Sequence, residues 1–278
     1  MKNISIVLVF MITFISGCTE KRSVKNDLQL DELKGKVRSV KTVYHNAAEK
    51  FGEITATDLK ERGIEFTYYN EKGFRTALNS YDAEGNAEEK IFYKYDEKNN
   101  LIEKITSNAE GGLENKVVYK YDENGNLSEQ NIYGPDGKLD KKIIAKNDKK
   151  GNALEEAFYK ENGSVDKKII YKNDNNGNPL DHIAYKPSGA VDYAYRSKYN
   201  GKGQVTETID STQESVYKVQ HKYDEAGLVT ETNTFSNGEK DVFYKFKYEF
   251  DKNKNWKKAI VFENEIPSGI TERIIEYY

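Results

Sequence analysis

Tyr119-Lys120-Tyr121-Asp122-Glu123-Asn124-Gly125-Asn126-Leu127-Ser128-Glu129 reads as a strand, a tight turn and a second strand. Tyr119 and Tyr121 alternate with Lys120, so both rings point to one face. Asp122 has the side chain to hydrogen-bond the backbone two residues on and open a turn. Gly125 can take the left-handed conformation that closes a type I turn with a bulge. Leu127 and Glu129 leave along the return strand, and hairpin alternation places Glu129 on the face of Tyr119 and Tyr121.

The cassette recurs. The residue that opens the turn stands at Asn70, Asp96, Asp122, Asp148, Asp174 and Asn200, at a constant step of 26, and again at Asp224 and Asp251. The glycine position follows at Gly73, Gly125, Gly151, Gly177, Gly203 and Gly227, with Asn99 as a stand-in that tolerates positive φ and Lys254 as the poorest match. A second turn lies midway, at Gly85, Gly111, Gly137, Gly163 and Gly189, also 26 apart. Two strands and two turns per unit predict a run of hairpins, about eighteen strands in all.

The 278 residues carry 32% charged side chains that nearly cancel, for a formal net charge of −3. That balance speaks against nucleic acid as a partner, which calls for a basic excess. The 21 Tyr and 12 Phe exclude a solvated coil. An apolar fraction of 37%, much of it tyrosine, leaves no thick aliphatic core. The protein should be thin.

Residues 1–18 read as a leader: Lys2, the apolar run Ile4 to Ile15, then Ile15-Ser16-Gly17-Cys18. Small residues before the chain's one cysteine are similar to a bacterial lipobox, in which the cysteine becomes the lipidated first residue. The expected location is the bacterial cell envelope, anchored by lipid on Cys18 to the outer membrane. Residues 19–32 are polar and read as a flexible tether. Residues 33–63 predict an N-terminal capping strand and a loop over the first sheet edge, with Phe51 and Leu59 packing down. Residues 64–278 are the hairpin array.

Equivalent residues of such an array stack in columns. Tyr69, Tyr95, Tyr121, Asn147, Asn173, Tyr199 and Tyr223 form one; Tyr93, Tyr119 and Tyr171 stand in its neighbour. Glu103, Glu129, Glu155, Asp181, Glu207 and Glu231 share a return-strand slot, and Lys94, Lys120, Lys146, Lys172, Lys198 and Lys222 share one on the opposite face. Tyrosine rings can replace a missing aliphatic core through cross-strand pairs. Rings beside carboxylates also suit sugars, whose apolar faces stack while their hydroxyls donate. The candidate ligand residues are Tyr93, Tyr95, Glu103, Tyr119, Tyr121, Glu129, Tyr171 and Trp256, the last also suited to sealing the end of the array.

Tyr-x-Tyr-Asp-x-x-Gly-Asn-Leu resembles the YD repeat of the Rhs family. Together with the lipobox and the ending Asn255-Trp256-Lys257-Lys258 with Thr271-Glu272-Arg273, the chain resembles small YD-repeat lipoproteins of Bacteroides-type bacteria over roughly residues 60–278. The resemblance implies an open repeat array, of a family associated with carbohydrate binding.

The three histidines lack metal-ligand spacing, Asp174-Asn175-Asn176-Gly177-Asn178 reads as a turn, and no nucleophile motif or phosphate loop is present. No enzyme, metal or cofactor is expected. The fold class is all-β: one elongated, twisted antiparallel sheet of consecutive hairpins, as an open spiral or partial barrel. The expected function is a non-catalytic binding module for a polysaccharide. The alternative is a scaffold that takes a protein partner at a sheet edge. The membrane is a partner through the lipid anchor alone.

Overall fold

The computed structural model describes residues 25–212 and 214–278. The leader, Cys18 and the first part of the expected tether lie outside the described residues. A one-turn helix, α1 (Asp27–Leu30), precedes eighteen strands: β1 (Val37–Lys50), β2 (Glu53–Tyr69), β3 (Arg75–Tyr81), β4 (Ala87–Tyr95), β5 (Leu101–Asn108), β6 (Leu113–Tyr121), β7 (Leu127–Tyr133), β8 (Leu139–Asn147), β9 (Ala153–Lys160), β10 (Val165–Asn173), β11 (Pro179–Tyr185), β12 (Val191–Tyr199), β13 (Val205–Ser211), β14 (Val216–Tyr223), β15 (Val229–Ser236), β16 (Glu239–Phe250), β17 (Trp256–Glu263) and β18 (Ile266–Tyr277).

Each strand pairs antiparallel with its neighbours in sequence, and β1 pairs with both β2 and β18. The sheet is therefore a closed 18-stranded barrel. This corrects the open spiral expected from the repeats and from the YD-array resemblance. Local hairpin spacing sets each strand against the next but says nothing about the two ends. Closure comes from Val40, Thr42 and Tyr44 on β1 standing opposite Ile275, Arg273 and Thr271 on β18. A closed ring has no free edge in its wall.

Residues 33–63 do not cap an edge. β1 and β2 run on past the wall as a two-stranded arm, paired through Ala48↔Thr55 to Lys50↔Glu53. Phe51 sits at its tip and is fully exposed, at 106% of its reference area, so it does not pack down. The expected tether is also shorter than residues 19–32. Asn26 caps α1, and Leu28 and Leu33 are buried against Val37, Val40 and Tyr69.

The turns follow the sequence reading. Asp122 Oδ1 accepts the amides of Asn124 (2.9 Å) and Asn126 (2.8 Å), and its Oδ2 accepts the Asn126 side-chain amide (3.0 Å). Asp96, Asp148 and Asp174 hold Asn100, Asn152 and Asn178 in the same way. Gly125 lies at φ 82°, and the stand-ins Asn99 and Lys254 take φ 64° and 63°. After each turn opened by Asp or Asn at the repeat position, the return strand carries one extra residue. Tyr121 faces Leu127 while Lys120 faces Glu129, which leaves Ser128 as a bulge.

The second Tyr of the cassette is a latch. Tyr121 donates its hydroxyl to the Leu101 carbonyl (2.7 Å), Tyr199 to that of Pro179 (2.9 Å) and Tyr223 to that of Val205 (2.6 Å). Asn147 and Asn173 fill the same slot and donate their amides to Leu127 and Ala153, each at 2.8 Å. The Tyr-to-Asn changes in the column thus keep one function: joining a hairpin to the one before it. Tyr121→Phe removes one such bond and is expected to lower the unfolding free energy by about 1 kcal/mol. Urea denaturation measures it, and an unchanged midpoint would show that water replaces the latch.

Candidate functional site

The bulge after each turn reverses the expected arrangement of the columns. Glu129 stands opposite Lys120, on the face away from Tyr119 and Tyr121. Its carboxylate meets Lys120 at 2.7 Å and Lys142 at 3.0 Å. The pattern repeats at Lys146–Glu155 (3.1 Å), Lys198–Glu207 (2.7 Å) and Lys222–Glu231 (2.6 Å). Glu103 likewise stands opposite Lys94 and pairs with Lys116 at 2.9 Å. The Tyr–Glu platform is therefore not formed. Glu103 and Glu129 belong to a belt of ion pairs on one face, and the tyrosines line the other.

The tyrosine face is the concave one. The short segment from Asn26 to Lys34 touches it on several strands at once. Tyr95 on β4 donates to Asp27 (2.8 Å), Tyr69 on β2 donates to Asp31 (2.6 Å), and the Lys34 amide donates to Asn255 before β17 (2.7 Å). Nine residues can bridge that arc only as a chord inside the ring.

The sequence-selected tyrosines divide into two groups on this inner wall. Tyr95 and Tyr121 are occupied, by Asp27 and by the latch. Tyr93 is bonded to Arg75, and burial pushes its hydroxyl up to about 12. Tyr119 is half-buried, and burial raises its pKa. Tyr171 donates to Glu156 at 2.7 Å. Trp256 carries the Arg273 guanidinium 3.5 Å above its ring and lies 6.0 Å from Tyr248.

A cluster of contacting rings lies on the inner wall from β9 to β13. The His182 ring stacks on Tyr195 at 4.7 Å with 9° between planes, and meets Tyr171 at 5.6 Å and Tyr193 edge-on at 6.3 Å. The Lys167 ammonium lies 4.9 Å from the Phe158 ring and 5.4 Å from that of Tyr193. Asp210 stands opposite Tyr195, and Glu156 is buried beside Tyr171. Burial lowers the His182 pKa and favours a neutral imidazole. Flat rings, two carboxylates, an imidazole and an ammonium supply stacking and hydrogen bonds together. Among the described residues no cluster of His, Cys, Asp and Glu could hold a metal.

Of this set the sequence reading selected Tyr171 alone. The missed signal is a break in a column. Tyr195 follows Ile91, Val117, Ile143 and Ile169 at the same slot, and His182 follows Lys104, Gln130 and Glu156. One repeat thus places rings where the others place aliphatic or linear side chains.

Neither face suits lipid. A membrane barrel needs an apolar outer band about 25 Å tall, and a lysine at the bilayer midplane costs about 2–4 kcal/mol. The outer face carries the Lys–Glu belt. The inner one carries Glu65, Glu156, Asp210 and Arg273. No helix among the described residues is long and apolar enough to cross a membrane.

A family model described as an uncharacterised protein matches residues 39–165, less than half of the chain. No curated protein matches it. Among solved structures, a porin-like protein from Bacteroides uniformis is similar at 9% identity and a TM-score of 0.46, with 87% of this chain and 99% of that one covered. TcdB2-TccC3 is similar at 10% identity and a TM-score of 0.31, over 80% of this chain and only 15% of that one. The closed ring of strands corrects the reading of the chain as an open YD/Rhs array.

Lys120 and Asn131 hydrogen bonds hold the Glu129 carboxyl at about 2, well below its ordinary 4.5. A depressed carboxylate pKa stabilises the fold fully above the ordinary value, and that contribution is lost as pH falls toward the folded one. Glu129→Gln should therefore flatten the fall of melting temperature between about pH 5 and pH 2. A slope equal to wild type would assign the acid sensitivity to other carboxylates.

Proposed function

We propose that this chain is a non-catalytic binding module of the cell envelope, whose barrel lumen takes an extended carbohydrate. The observation that carries this reading is the inner-wall cluster of Tyr171, His182, Tyr193 and Tyr195 with Glu156, Asp210 and Lys167 beside it. Aromatic planes stack on apolar sugar faces, and the polar groups between them pair with hydroxyls. An 18-stranded barrel is wide enough to leave an aqueous lumen. A polymer could meet this cluster and then Tyr119 along the same wall, with affinity built from several weak contacts.

The anchor is part of the proposal. A lipid on Cys18 holds the barrel at the outer membrane while its wall stays in water. Cys18→Ala is expected to move the protein from the membrane fraction to the soluble one. Retention of the variant with membranes would remove the lipid from this account.

A protein partner is the second reading, and one observation favours it. Among the described residues, the arm at 46–63 has strand edges paired on one side only, and the exposed Phe51 ends it. Such edges accept an added strand.

A glycan array followed by calorimetry tests the first reading. Tyr193→Ala with Tyr195→Ala should weaken binding ten- to a hundredfold, from about 0.5–1.5 kcal/mol per aromatic contact. Phe51→Ala should leave it unchanged. Wild type that binds no glycan, or binding lost with Phe51 alone, would favour the protein-partner reading.

A further inference from the structure

The geometry points to the end by which the barrel hangs. We infer that it stands on the membrane by the mouth that holds α1, with the lumen opening away from the bilayer. This rests on the Cys18 anchor proposed above.

The segment from Asn26 to Lys34 is not free to swing. Asn26 donates its side-chain amide to the Lys72 carbonyl (2.7 Å) in the β2–β3 turn, and the Leu28 amide donates to the Gly73 carbonyl (3.0 Å). The Lys34 amide donates to Asn255 (2.7 Å) after the β16–β17 turn, and Leu28 and Leu33 are buried between these contacts. The segment lies as a chord across the seam side of one mouth, the one rimmed by the Asp–Gly turns. Six residues lie between Cys18 and Lys25, seven chain steps and a reach of about 25 Å at full extension.

The opposite mouth stands at the limit of that reach or past it. β1 starts beside the α1 mouth and crosses the wall in nine residues, Val37 to His45, about 30 Å of strand, before the arm begins. The arm rises past the far rim and carries Glu49, Lys50, Glu53 and Asp58, which do not enter a bilayer. A barrel set down on that mouth would have to bury the arm in lipid with its anchor drawn out to full length. Standing on the α1 mouth, it meets no such obstacle. Part of that mouth is already crossed by the chord and the membrane covers it, so ligand enters at the far mouth, past the arm.

Depth-dependent quenching tests this on the full lipidated protein in vesicles. Lys98→Cys labels a turn at the α1 mouth, and Glu84→Cys labels a turn at the far one; both residues are exposed. Phe51→Cys labels the arm tip. With fluorophores on each and phospholipids nitroxide-labelled at the headgroup, quenching at position 98 should exceed that at 84 several-fold, and position 51 should be quenched least. Equal quenching at 98 and 84, as for a barrel lying on its side, or a reversed order, would overturn the orientation. Protein that fails to float with the vesicles would overturn the anchor as well, a distinct outcome read before any label is measured.

Discussion

One inserted residue after each aspartate turn decides the chemistry of both faces of this barrel. Were Ser128 an ordinary ladder residue opposite Lys120, the return strand would keep its alternation and carry Glu129 to the inner wall, against half-buried tyrosines. Six carboxylates would then line the lumen with few cations to meet them, and burying an unpaired charge is costly. The bulge shifts the phase by one, and each acid lands beside a lysine. An exposed ion pair contributes little alone, on the order of 0–1 kcal/mol. The larger consequence is the exclusion: this column of acids is kept off the inner wall, which keeps its rings, amides and hydroxyls with a few separate charges such as Glu156, Asp210 and Arg273.

That inner wall then has to hold without a thick core. Among the described residues, Ile270 and Val37 are the largest fully buried side chains, and both lie near the seam. Along the rest of the ring, the latches supply cohesion of another kind, each tying a hairpin to its predecessor through one backbone carbonyl. At the start of the array the latch gives way: Tyr69 has no repeat hairpin behind it, and Tyr95, with the β2–β3 hairpin behind it, is taken by the α1 segment. Asp31 and Asp27 take their hydroxyls instead. Tyr278 closes the other side by donating to the Tyr69 carbonyl at 2.6 Å. The α1 segment and the last strand together complete at the seam what the repeat does elsewhere.

The sequence makes the local structure legible because turn chemistry is local. The left-handed positions of the first six turns, Asn99 among them, stand where the 26-residue step places them, Lys254 holds the same place after its own Asp251 turn, and the strand number follows from the turns. The bulge was legible too, but its effect on parity is carried by the ladder and not by the turn, so Glu103 and Glu129 were assigned to the wrong face. Closure was not legible. The contact of Val40 with Ile275 joins residues from the two ends of the chain, and no periodicity encodes it. The candidate site was half legible for a related reason. Columns reveal what repeats, whereas His182, Tyr193 and Tyr195 differ from their columns, and a cluster that exists in one sector shows only as an irregularity.

Closure and charge together limit what the barrel can be for. A sheet that closes to cross a membrane needs a lipid-facing surface without charges, and here lysines circle the outside while acids and Arg273 sit within. Closure therefore serves the space it encloses. Inside that space the polar groups are mostly committed: tyrosine hydroxyls to carbonyls, Arg75 to Asp31 and Tyr93, Glu156 to Tyr171. What remains open to a visitor is chiefly the flat faces of rings, with a few hydroxyl and carboxylate edges between them. A charged small molecule would find few free partners on such a wall. A long neutral ligand with alternating apolar faces and hydroxyl edges would find many weak ones, spaced along the strands.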